Sequence, residues 1–130
     1  MAIYTTSTGE RLEKSTIDSR IKKAKETYLE KFIDDYLYHY CERSLKTGVR
    51  LECSHIVSVR ECQHSGRSEL AYDLKNIELL SHDEHMIIEG MANKAREAWY
   101  LARQRGMTFE NFLLFNNIDI QEKNNLFNNQ

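Results

Sequence analysis

The sequence predicts an α+β, mostly helical fold in which a long N-terminal helix packs on a short strand pair and C-terminal helices follow. Three features predict it. From Ile17 to Tyr40, apolar and aromatic side chains return every third or fourth position, which is the helical repeat. Two short β-prone runs, Leu51 to Val59 and Ile77 to Leu80, interrupt that pattern. After them, Ser81-His82-Asp83-Glu84 has the S-x-x-E form that caps a helix start, and it opens a run of helix formers closed by Gly106. With 130 residues, 41% of them hydrophobic, the chain can bury one core without disulfides or a structural metal. It contains no proline to break its helices. Residues 1–130 read as a single domain without internal repeats.

Taken in order, residues 1–14 are polar and without periodicity, and so form a loosely ordered arm. Ser15 to Asp18 has the shape of a capping box, with Asp for the usual Glu or Gln, and opens a helical region over 15–47 that Gly48 ends. Ile17, Ile21, Ala24, Tyr28, Phe32, Tyr36 and Tyr40 share its apolar face, which reads first as core packing. A second apolar set, Leu29, Ile33 and Leu37, allows a homodimer interface as the sharper reading. The interleaved Arg20, Lys22, Lys23 and Lys25 read as a solvated face.

In the first strand, alternation sets Leu51, Cys53 and His55 on one side and Glu52 and Ser54 on the other. The loop Arg60 to Ser68 holds the turn His64-Ser65-Gly66-Arg67. Its Arg60 and Arg67 are candidates for phosphate contact, because a guanidinium pairs bidentately with phosphate oxygens, with ordinary loop charges as the equal alternative. Asn76 precedes the second strand. His85, Ile88 and Glu89 fall in the first two turns of the following helix, with His82 at its start as a solvated or capping residue. That helix runs through Ala92, Ala95, Ala98, Trp99 and Ala102, so the core unit spans 51–105. Thr108 caps a short helix over Phe109, Phe112, Leu113 and Phe115. The Asn-rich tail from Asn116 offers Ile118, Ile120, Leu126 and Phe127 for packing and is expected to be mobile or draped on the surface.

The net charge of −2 does not announce a nucleic-acid binder. Residues 48–90 carry 8 acidic and 4 basic side chains, a local excess suited to attracting a divalent cation, which would then mediate the approach of phosphate. Arg60, Arg67, Lys75, Lys94 and Arg96 are the bases at hand. No apolar run approaches the roughly 18 residues of a membrane span, and the N-terminus lacks a signal-peptide core, so the expectation is no membrane partner and a cytoplasmic location. Cys41, Cys53 and Cys62 make an odd count without a CxxC pair, which argues against a disulfide framework or zinc knuckle and for buried thiols.

The stretch from Leu51 to Glu89 contains four of the five histidines. His85 and Glu89, four apart on a helix, share a face and can reach one ion. The order of a His in a strand, a long loop, an Asn, a second strand and a helix with ligands at i and i+4 resembles the HNH nucleases, the ββα-metal or His-Me finger superfamily. The nine residues from Asn76 to His85 repeat the spacing of colicin-type members. About 40 of the 130 residues carry the resemblance. It implies a metal-dependent endonuclease that hydrolyses phosphodiester bonds of double-stranded DNA. His55 would be the general base, with a pKa of about 6.5 suited to the task. Asn76 would be its orienting residue, and His85 and Glu89 the metal ligands.

The family's third ligand precedes the catalytic His as Asp or His, and here that position is Ser54. Small residues occur there in some phage-type branches, which would place the protein in a host cytoplasm. The metal would then rest on His85, Glu89, water and substrate phosphate, helped by Glu52 on the face of Ser54. One imidazole with one carboxylate is a hard site, so Mg²⁺ or Mn²⁺ is expected before Zn²⁺. The CxxC pairs that brace many HNH domains are missing near Ser81 and Glu84. The rivals are a catalytically silent ββα module that binds DNA or protein, and a zinc-stabilised adaptor using Cys53, Cys62, His64 and His82.

Overall fold

A computed structural model of the chain describes residues 2–116. The tail with Ile118, Ile120, Leu126 and Phe127 lies outside the described residues. The described chain is mostly helical with two small antiparallel sheets, an α+β arrangement.

The N-terminal segment, expected to be loose, is a hairpin of β1 (Ile3–Thr5) and β2 (Arg11–Glu13), turned through Gly9 at φ 89° and tied by Thr6 to Glu10. Helix α1 (Lys14–Tyr36) starts directly after it. The expected capping box does not form: Asp18 pairs with Lys14 at 2.7 Å, and the N-cap, Glu13, makes no side-chain cap. The apolar stripe buries Ile17, Ala24 and Phe32.

The helix also ends about eleven residues before the expected stop. Leu37 turns left-handed at φ 73°, and the chain doubles back so that the Tyr40 ring meets Phe32 edge-on at 4.9 Å. This explains the misleading pattern, because a folded-back turn kept Tyr40 beside the stripe without continuing the helix. Leu37 is 84% exposed, so its side chain gains little from packing while its β-carbon strains the backbone. Leu37→Gly is expected to stabilise the protein by about 0.5–1 kcal/mol, read as a higher denaturant midpoint at unchanged slope.

Strands β3 (Leu51–His55) and β4 (Ile77–Ser81) pair antiparallel, with Leu51 opposite Ser81 and His55 opposite Ile77. All five residues of β4 are buried. Its outer edge is satisfied by the segment after α1, where the Glu42 amide donates to the Leu79 carbonyl at 2.9 Å and the Leu79 amide donates to the Glu42 carboxylate at 2.5 Å. Two adjacent residues beyond β3 then feed different cores. Ile56 packs with Leu80, Ile88, Met91 and Trp99; Val57 packs with Ile17, Cys62 and Ala71.

The expected loop at 60–68 is in part a helix, α2 (Val59–His64), because Ser58 caps it by accepting from the Glu61 amide at 3.1 Å. Gly66, at φ 73°, makes the turn that follows. Short 3-10 turns at Ser68–Tyr72 and Leu74–Asn76 lead into β4. Ser81 caps α3 (His82–Gly90) by accepting from the Glu84 amide, as its S-x-x-E form predicts. The single helix expected to reach Gly106 is instead two, since extended backbone at Met91 and Ala92 separates α3 from α4 (Asn93–Gln104). The sequence Gly90-Met91 accounts for the break: glycine lowers helix propensity, and Met91 is drawn into the core at 2% exposure. Thr108 caps α5 (Phe109–Phe115) by accepting from the Asn111 amide at 3.1 Å. No helix among the described residues is long and apolar enough to cross a membrane.

Candidate active site

His55 ends β3, opposite Ile77 of β4. The ring is buried, and its Nε2 lies 2.7 Å from the Ala71 carbonyl oxygen. A carbonyl only accepts, so Nε2 carries the proton and Nδ1 keeps the lone pair. Burial pushes the imidazole pKa below its ordinary value, with the Ala71 hydrogen bond working against that shift. The neutral, proton-accepting form is therefore favoured.

The Asn76 side chain directs its hydrogen bonds to the backbone and not to His55. Its Nδ2 donates to the carbonyls of Val57 at 3.0 Å and Leu70 at 3.1 Å, and its Oδ1 accepts from the Val57 amide at 2.8 Å. One fully buried amide thus closes the loop between the strands at both ends. Because Leu70 precedes Ala71, Asn76 holds the segment whose carbonyl sets the His55 ring. Its influence on the ring would run through the backbone.

On α3, His85 lies between two carboxylates. Its Nδ1 is 2.8 Å from Glu52 Oε1 and its Nε2 is 3.0 Å from Glu89 Oε1. His82 Nδ1 stands 3.3 Å from the same Glu52 oxygen. The His85 hydrogen bond, with help from His82 and Arg50, holds the Glu52 carboxyl below the usual carboxylate range. The pairing of Leu51 with Ser81, the α3 cap, places Glu52 over the first turn of that helix.

Among the described residues, no three His, Cys, Asp or Glu side chains are arranged as a metal site. The donor chemistry nevertheless fits a hard divalent cation. A cation held between His85 Nε2 and Glu89 would leave Nδ1 beside Glu52, which would then orient the ring. Ser54 adds a second sign, since its Oγ is buried without a hydrogen-bond partner on the Glu52 face of β3. An orphaned hydroxyl costs about 1–3 kcal/mol, and a cation's water would satisfy it.

Compared with known proteins, the chain matches no family model, no curated sequence and no solved structure. What the site can do therefore rests on its own geometry.

The arginines differ in their surroundings. Arg67 is forked on Glu97, with N–O distances of 2.5 and 3.1 Å, and is thus engaged within the protein. Arg96 is buried and donates from Nε to the Ile56 carbonyl and from Nη2 to the His55 carbonyl, both at 2.7 Å, with Nη1 3.7 Å from Glu89. It braces the end of β3, and its place on the Ala92–Trp99 face of α4 was the sequence signal for that burial. Arg60 lies exposed on α2, beside Ser58, His64 and Asn93. The zinc-adaptor set is not assembled: Cys62 is buried with its thiol pushed up to about 12 by burial, so the thiolate a zinc site needs is disfavoured. Sequence reasoning missed the Ala71 carbonyl, because a backbone acceptor leaves no mark in residue identity.

Proposed function

We propose that the protein is a metal-dependent DNA endonuclease of HNH type. The observation that carries this reading is the placement of His55, the Asn76-held loop and the His85–Glu89 pair on a hairpin followed at once by a helix. His85 Nε2 and Glu89 would hold one Mg²⁺ or Mn²⁺, with Glu52 orienting His85 and Ser54 contributing through water. The cation would supply Lewis-acid stabilisation of the charge developing on phosphate. His55 Nδ1 takes a proton from the attacking water, and the Ala71 carbonyl keeps the ring in the tautomer that leaves this nitrogen free.

Supercoiled plasmid incubated with a series of divalent metals, with and without chelator, tests the reading. Nicking or linearisation with Mg²⁺ or Mn²⁺ is expected, and cleavage supported by Zn²⁺ alone would overturn the metal assignment. The pH dependence has a definite sign. The base must be unprotonated, and burial lowers its pKa, so the rate should fall only as pH drops through a value below the ordinary 6.5 or so. An acid limb centred above that value would argue against His55 as the base.

A further inference from the structure

The flank of α1 that faces the 3-10 turns is a basic trough. Arg20, Lys23 and Lys31 lie along one helix face. Opposite them stand Tyr72, Lys75 and Arg103, with Tyr72 and Leu74 common to both halves of the depression, which makes it continuous. Among its acids, Asp73 has a carboxylate oxygen turned onto the Lys75 amide at 2.9 Å, Glu10 stands 3.8 Å from Arg20, and Asp35 and Glu42 line the adjoining hollow beyond Lys31 and Arg103. Arg20 is held by the Tyr72 hydroxyl at 3.0 Å, and Arg103 by Tyr28 at 3.0 Å and Glu42 at 3.4 Å. Lys23, Lys31 and Lys75 are exposed and form no ion pair with any described residue. In a chain of net charge −2, such a concentration of cations along one groove is a directed asymmetry.

We infer that this trough seats the phosphodiester backbone of a nucleic acid and leads it to His55. From Arg20 to Lys31 the helix rises about 16 Å at 1.5 Å per residue, long enough to meet more than one phosphate of a strand laid along it. Tyr72, on the trough wall, directly follows Ala71, whose carbonyl holds the His55 ring. The trough wall is thus the direct continuation of the segment that sets the His55 ring. The inference rests on the nuclease reading for its direction, but the binding it states is independent of metal and of cleavage.

Fluorescence anisotropy with a short labelled duplex, in chelator and across a salt series, tests it. The protein would be compared with a triple variant, Lys23→Ala, Lys31→Ala and Lys75→Ala, and with a control triple outside the trough, Arg11→Ala, Lys22→Ala and Lys46→Ala. At about 0.9 per neutralised phosphate, loss of three contacts should flatten the slope of log affinity against log salt by about 2.7. Between roughly 50 and 200 mM salt, the parent should lose about fortyfold more affinity than the trough variant. The control should keep the parental slope. Equal slopes for parent and trough variant would overturn the inference, as would a flattened slope in the control alone. Binding of polyglutamate by the parent with no binding of duplex would also overturn it and assign the trough to an acidic protein. If the trough variant loses its slope while no metal supports cleavage, the surface stands and the nuclease reading falls.

Discussion

Glu78→Ala is expected to destabilise the protein by about 3–5 kcal/mol, a fall in melting temperature of roughly 10–20 °C. Glu78 and Arg43 are both almost wholly buried and lie 2.8 Å apart, and Glu78 also accepts from Trp99 Nε1 at 3.0 Å. The Arg43 guanidinium rests over the Phe109 ring, 3.7 Å from its centroid. Removing the carboxylate leaves a desolvated cation whose other carboxylate, Glu84, is 3.9 Å away, and an indole N–H without its acceptor. A buried charge robbed of its partner costs far more than the pair contributes. Replacing both members, Arg43→Met with Glu78→Leu, should therefore recover a large part of the loss. Thermal melting of the single and double variants checks this, and a double variant no more stable than Glu78→Ala would show that the pair is not the origin of the effect.

Asn76→Ala should cost about 3 kcal/mol or more, because its three buried hydrogen bonds vanish together and leave the Val57 amide and the Val57 and Leu70 carbonyls short of partners. Its effect on catalysis should exceed what lost folding explains. At a temperature where the variant remains folded, the Leu70–Ala71 backbone is no longer held, and the carbonyl that fixes the His55 tautomer shifts. Asn76→Asp keeps the acceptor to the Val57 amide but sets a buried carboxylate oxygen against the Val57 and Leu70 carbonyls, so near neutral pH it should be at least as destabilising as the alanine variant. Melting curves paired with cleavage rates separate the two contributions.

Local chemistry was legible in the sequence where a short motif determines it. The Ser81 cap, the Thr108 cap and the adjacency of His85 and Glu89 each depend on residues no more than four apart. What depends on distant partners was not legible. Arg67 looked like a free loop cation because Glu97, thirty residues on, gives no local sign of claiming it. Glu52 reaches His85 only through the register of β3 on β4. The early end of α1 has the same origin: propensity and periodicity both continue to Tyr40, but packing of Glu42 against the edge of β4 draws the chain away from the helix. The tight hairpin at the N-terminus is too short to show an alternating pattern, yet it is tied by the Ser7–Glu69 contacts to the turn beside His55.

Whether His55 is the base of a metal-dependent nuclease is decided by cleavage of supercoiled plasmid by the parent and by His55→Ala, in Mg²⁺ or Mn²⁺ and with melting temperature measured on the same samples. Metal-dependent nicking or linearisation by the parent is expected. His55→Ala should stay folded and lose at least about a hundredfold in rate, the scale of general-base catalysis. Cleavage that survives His55→Ala, or a parent that binds DNA but cuts with no metal, would contradict this reading.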